Sequence, residues 1–205
     1  MTGDCEPETW GNKDGRAWRI GGEAEIAWIR ENTEVSFAIT SAIPRVFEAY
    51  ATLELPGSGN HPSGSPLEDP DCHNAGVLAV LSEHSTAQPW WLGYLDTGGA
   101  DIVFDSVRKV QVGANGDSWY VLVEAGPEQA GVWRDREHRK GPLPDLMFPA
   151  DRSWLLSTLW DDDWTCIGGS RALVDAFLAH PELRHRARAV DPSLNDATPP
   201  GHTAI

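Results

Sequence analysis

Cysteine is scarce in this 205-residue chain: there are three, at positions 5, 72 and 166, and no two form a Cys-x-x-Cys pair. An odd number so widely spaced argues against a disulfide framework and against a cysteine-based zinc site, and it suits a reducing compartment. Basic residues are few as well. Sixteen Lys and Arg stand against 31 Asp and Glu, a formal net charge of −15, so the long-range field repels phosphate backbones and anionic bilayers and favours basic partners. Nucleic acid and membrane surfaces are therefore not expected as partners. No apolar run approaches a membrane span, and the opening "MTGDCEPETWGNKDG" has neither the basic start nor the apolar stretch of a signal peptide. A cytoplasmic protein is the expectation. Also missing are a Gly-x-Gly-x-x-Gly or Lys-bearing phosphate loop, a Gly-x-Ser-x-Gly elbow and any His-x-x-x-His pair, so no cofactor or metal is expected from motif spacing.

What remains is enough for one large domain, since 40% of the residues are hydrophobic. Residues 1–22 read as a polar arm, 23–190 as an α+β domain with an antiparallel sheet packed against helices, and 191–205 as a polar, proline-bearing tail. In the arm, Trp10, Trp18 and Ile20 imply packing on the body. "EAEIAWIREN" (Glu23 to Asn32) and "IPRVFEAYATLEL" (Ile43 to Leu55) carry apolar residues at helical spacing, the second with Val46, Phe47, Tyr50 and Ala51 on one face. Residues 56–74, dense in Pro, Gly, Ser and Asp, read as a surface loop before a short helix, "AGVLAVLSEHS" (Ala75 to Ser85), with Val77, Leu78 and Leu81 as its buried stripe.

Then the period changes. "PWWLGYLDTG", "DIVF", "KVQVG" and "SWYVLVEAG" are aromatic or β-branched runs between turn residues, and predict an antiparallel meander. Pro127 opens a helical turn, and "RDREHRKGP" is a charged loop. "SWLLSTLW" and "WTCI" predict a hairpin turning at "DDD", and "GGS" joins it to a helix from Arg171 to His180 with Leu173, Val174, Phe177 and Leu178 on one face.

Ten tryptophans are many for this length, and five of them, Trp90, Trp91, Trp154, Trp160 and Trp164, fall on predicted strands or their ends. Neighbours on a strand face opposite ways, so one of Trp90 and Trp91 leaves the core unless both faces of the sheet are covered. Asp161, Asp162 and Asp163 satisfy turn geometry and also put three negative charges between Trp160 and Trp164, a combination suited to a cationic ligand. Trp90, Trp91, Trp160, Asp161, Asp162, Asp163 and Trp164 are the candidate binding residues. Gly168-Gly169-Ser170 offers an anion nest or an ordinary tight joint. His61, Cys72, His73 and His84 could converge as nitrogen and sulfur ligands or stay solvated, and Glu124 with Glu128 could form an acid/base pair or serve helix and sheet.

The segments "YVLVEAGPEQ" (Tyr120 to Gln129), "FPADRSW" (Phe148 to Trp154) and "DDDWTCIGGS" (Asp161 to Ser170) resemble a tryptophan-rich set of uncharacterised actinobacterial proteins, a likeness that implies no activity. The order of a proline-bearing helix at "IPRVFEAYATLEL", a meander and a terminal strand-hairpin-helix is similar to the SUKH superfamily. That resemblance implies an α+β fold and an acidic immunity protein that neutralises a toxin. The expectation is a non-enzymatic binding protein that engages a basic protein or a cationic small molecule through an acidic, tryptophan-rich surface. A binder of cationic or polyhydroxyl ligands, or a small enzyme using Asp, Glu and His in a tryptophan-lined pocket, is the alternative.

Overall fold

The computed structural model of the chain describes residues 10–13, 16–35, 39–57, 69–96, 107–112, 118–131, 143–158 and 164–193. In chain order the elements are β1 (Trp10–Lys13), β2 (Arg16–Arg19), α1 (Glu23–Asn32), a 3₁₀ turn (Ile39–Ser41), β3 (Ala49–Glu54), α2 (Pro70–Glu83), β4 (Trp90–Leu95), β5 (Val110–Val112), β6 (Ser118–Ala125), α3 (Pro127–Ala130), β7 (Leu146–Pro149), β8 (Leu155–Thr158), β9 (Trp164–Gly169), α4 (Arg171–Ala179) and β10 (Ala187–Val190). β1 and β2 pair with each other, and the other eight strands make one antiparallel sheet in the order β10-β3-β9-β8-β7-β4-β6-β5. The fold is α+β, with helices against an antiparallel sheet, as expected. Among the described residues no helix is long and apolar enough to cross a membrane.

Strict alternation along the strands sorts side chains into two cores, one on each face. Trp90, Leu92 and Tyr94 of β4, Val121 and Val123 of β6, Met147 of β7, Leu156 of β8 and Ile167 of β9 meet α2 and α4 through Val77, Leu81, Leu173 and Phe177. The intervening positions Trp91, Leu122, Leu146, Phe148, Leu155 and Trp164 meet Ile26 and Ile29 of α1 and Ile39 beside it. Both faces are thus covered, which is why Trp90 and Trp91 can be adjacent and both buried, at 1% and 5% exposure.

The same double burial overturns the helix expected over Ile43 to Leu55. Every residue of β3 is buried, because the strand lies between β9 and β10 with cover above and below. A strand buried on both faces shows no polar alternation, and its apolar residues then mimic a helical stripe. Residues before β3 form turns instead, with Val46 N–H donating to Pro44 O at 2.8 Å. The Tyr50 hydroxyl pins that turn by donating to Pro44 O while accepting from Phe47 N–H, both at 3.1 Å.

Other expectations are corrected in detail. The order β4-β6-β5 is not the sequential meander, since β4 pairs with β6 and β7 while β5 pairs with β6. β7 and β10 were not anticipated. By contrast, part of the polar arm packs on the body as Trp18 and Ile20 implied: β1 pairs with β2, Ile20 is buried, and Gly21 N–H donates to Leu122 O at 2.8 Å. The helix at residue 75 begins earlier, at Pro70, where Asp69 caps it by accepting from Asp71 N–H at 2.9 Å. Asp before a proline in the first turn is a helix-start signal, here hidden at the end of a loop-like composition. The strand at "DIVF" and the turn at Asp161 to Asp163 lie outside the described residues. The strands flanking that turn do pair antiparallel, Thr158 opposite Thr165. α4 matches its expectation: Ser170 Oγ accepts from Leu173 N–H at 3.2 Å, and Leu173, Val174 and Phe177 are buried.

Candidate functional site

Pro70, His73 and Val77 recur on α2 at the spacing that places them on one face. Val77 belongs to the core on that side of the sheet. Nearer the helix start the same face borders a cavity of about 380 Å³, within the range of small-molecule sites. Its apolar walls are Leu53 and Leu55 at the end of β3, Val77, Leu143 and Leu156, with Pro56, Pro70 and Pro144 at its edges. No Phe, Tyr or Trp is among the described residues that line it.

The polar members of the wall are mostly engaged. Thr158 and Thr165, opposite each other on β8 and β9, share a hydroxyl hydrogen bond of 3.0 Å. The Asp145 carboxylate accepts from Leu95 N–H at 2.8 Å, and Asp145 O accepts from Thr158 N–H at 2.7 Å, which stitches the segment before β7 to two strands. His73 is the exception. It is 4% exposed, and its Nδ1 has no hydrogen-bond partner.

Burial, followed by the nearby Arg186 cation, pushes the His73 imidazole down to about 4 from 6.5, so it is neutral at pH 7. Arg186 itself is 3% exposed, and its Nη1 donates to Leu55 O at 3.0 Å behind the cavity wall. His73 makes no hydrogen bond to Asp145, so the base and orienting carboxylate of a catalytic dyad are not assembled here.

The residues singled out from sequence separate. Trp90, Trp91 and Trp164 are buried and furnish core area, not a solvent-facing surface. Trp154 is buried too, edge to face with Trp90 at 4.9 Å between centroids, its indole N–H donating to Ser85 Oγ at 2.8 Å. Trp160 and Asp161 to Asp163 lie outside the described residues. Trp119, which was not singled out, is 46% exposed.

Cys72 and His73 are neighbours on α2 that point apart, the thiol exposed and the imidazole buried. The hydrogen bond that Cys72 makes to Asp69 raises its thiol above the ordinary range, the reverse of what a thiolate ligand needs. His84 stands at the far end of α2, and His61 is outside the described residues. Among the described residues no three His, Cys, Asp or Glu gather as a metal site.

Gly168 and Gly169 are strand residues whose hydrogens make room for neighbours: a Cβ on Gly168 would stand 2.4 Å from Ile43 and Phe47, and one on Gly169 2.5 Å from Leu173. The first amide of α4 is taken by a carboxylate of the chain itself, Arg171 N–H donating to Glu48 at 3.1 Å. That arrangement replaces the anion nest. Glu124 forms an ion pair with Arg19, whose guanidinium also lies 5.1 Å from the centre of the Trp91 ring, while Glu128 sits in the first turn of α3.

His73 could have been found from sequence through the Asp69-Pro70 start, which places it four residues before Val77 in the buried stripe. The cavity could not, because its walls come from five separated stretches. Compared with known proteins, the chain matches no family model, no curated relative and no solved structure.

Proposed function

We propose that the chain is a non-enzymatic binding protein for a small, largely aliphatic molecule held between α2 and the ends of β3, β8 and β9. One observation carries this reading: a cavity of about 380 Å³ whose walls are largely aliphatic, from Leu53, Leu55, Val77, Leu143 and Leu156. A cavity of that size would hold on the order of a dozen waters at about 30 Å³ each. Aliphatic walls offer those waters few hydrogen bonds, so their displacement by an apolar ligand is favourable. Thermal unfolding with neutral apolar additives tests it. Binding to the folded state raises the midpoint by mass action, and Val77→Phe, which grows a wall residue into the space, should abolish the rise. Equal rises in both proteins would contradict the reading.

A second reading, the immunity-like capture of a basic protein suggested by SUKH likeness and by the net charge of −15, is favoured by the exposed ring of Trp119 on β6. In that reading Trp119 is the anchor, and Asp161 to Asp163 supply negative potential. Trp119→Ala should then speed dissociation, whereas Asn at positions 161 to 163 should slow association at low salt. Both readings place the chain in the cytoplasm.

A further inference from the structure

We propose that the groove between α1 and the turn before β8 is a second binding site, taking a small monocarboxylate with an apolar body whose carboxylate is held by the guanidinium of Arg152. The groove has a volume of about 480 Å³ and shares no described lining residue with the α2 cavity. Its apolar floor is Trp28 and Phe47, which pack against the core on the α1 face of the sheet, and the exposed side chain of Val46 lies beside them.

Arg152 lines this groove with its guanidinium over the Trp28 ring, 5.5 Å from the centroid. Its φ is 60, and among the described residues it is the one non-glycine residue with positive φ. Such a backbone is strained for a long side chain, and the hydrogen bonds of the turn impose it. Arg152 N–H donates to Pro149 O at 2.9 Å, Asp151 N–H to Gln88 Oε1 at 2.8 Å, and Ser153 N–H to Asp151 Oδ1 at 3.0 Å. With 31 Asp and Glu against 16 Lys and Arg, acids are in surplus. Arg19, Arg30, Arg45, Lys109 and Arg171 each pair with a carboxylate. Among the described residues the Arg152 guanidinium has no ion pair and no hydrogen bond, so its N–H donors are unspent.

The remaining polar side chains of the groove are engaged within the chain. Asn32 Nδ2 donates to Trp28 O at 2.8 Å, Ser170 Oγ accepts from Leu173 N–H at 3.2 Å, and the Ser153 hydroxyl bonds the Asp151 carboxylate. Glu48 is the one acid among the described lining residues, and Arg171 holds it through the amide N–H at 3.1 Å and the side chain at 3.5 Å. Glu48 and the net charge of −15 still oppose anions, which limits the ligand to a single negative charge and disfavours a phosphate dianion. A carboxylate meets that limit, and its oxygens match the guanidinium fork. An ammonium would find Arg152 unpaired and Glu48 already bound to Arg171. Trp28, Phe47 and Val46 then cover the apolar body.

Phenylacetate, 2-phenylethanol and 2-phenylethylammonium share one apolar body and, together with inorganic phosphate, separate the possibilities. Each is titrated at pH 7 into the full chain and into Arg152→Asn, a neutral residue that tolerates the left-handed backbone, with affinity read from the Val46 methyl resonances so that occupancy of the α2 cavity does not enter. The expected result is that phenylacetate binds about tenfold more tightly than the other probes, and that Arg152→Asn loses about tenfold in affinity for it. The alcohol, the ammonium or phosphate moving Val46 at as low a concentration would overturn the carboxylate assignment, and so would unchanged affinity in Arg152→Asn. If that variant does not fold, the ¹⁵N resonance of Arg152 Nε in the unsubstituted chain decides: it should move with Val46 on addition of phenylacetate. A resonance that stays in place, or phenylacetate shifts confined to Val77 in the α2 cavity, would overturn the second site and leave the reading of the α2 cavity intact.

Discussion

Trp90 and Trp91 are consecutive in the chain and belong to different cores, the first against Trp154 beneath α2 and α4, the second beneath α1 with Arg19 over its ring. Replacing either by Ala should cost about 3–5 kcal/mol through the cavity left behind, without altering partner binding directly. Urea unfolding of the two variants checks this. A loss below 1 kcal/mol for either would show a ring at the surface.

His73 should make stability depend on pH in a specific window. Its folded value of about 4 lies below the unfolded 6.5, so above pH 6.5 the neutral imidazole costs nothing. As the pH falls from 6.5 to 4 the unfolded chain takes up a proton that the folded chain refuses, and stability drops by up to about 3 kcal/mol. The charged group that bears on the ring is Arg186, from the turn before β10, while Asp145 lines the same cavity. His73→Leu removes the proton site, so its advantage over the unsubstituted chain should grow between pH 7 and pH 4.5. Parallel curves in urea melts at those two values would contradict the assignment.

Gly168→Ala should destabilise by about 1–3 kcal/mol, the cost of overpacking, because the added methyl would stand 2.4 Å from Ile43 and Phe47. Since Glu48 already occupies the first amide of α4, added phosphate should not raise the melting temperature. A clear rise with phosphate would restore the anion nest.

Elements whose sequence contrasts with their surroundings were readable: β4 and β6 as aromatic and β-branched runs between turn residues, α4 by its serine cap and apolar face. β3 was not, since full burial removed the alternation that marks a strand. β10 was masked by charge, Arg186 and Arg188 making "RHRARAV" look like a solvated run although the segment closes the sheet edge against β3. The tryptophans drew attention as a binding surface, yet a sheet covered on both faces has use for large rings at neighbouring positions. The cavity depends on how the ends of β3, β8 and β9 meet the start of α2. No single stretch of sequence records that.

The central claim is that the space beneath the first turns of α2 is where a ligand binds. Methyl resonances of Leu and Val, followed during titration with 1-octanol, test it most directly. The account predicts shifts concentrated on Leu53, Leu55, Val77, Leu143 and Leu156, saturating together, while Leu122 and Leu155 on the opposite face of the sheet stay in place. Shifts spread evenly over both faces, or confined to residues around Trp119, would contradict it.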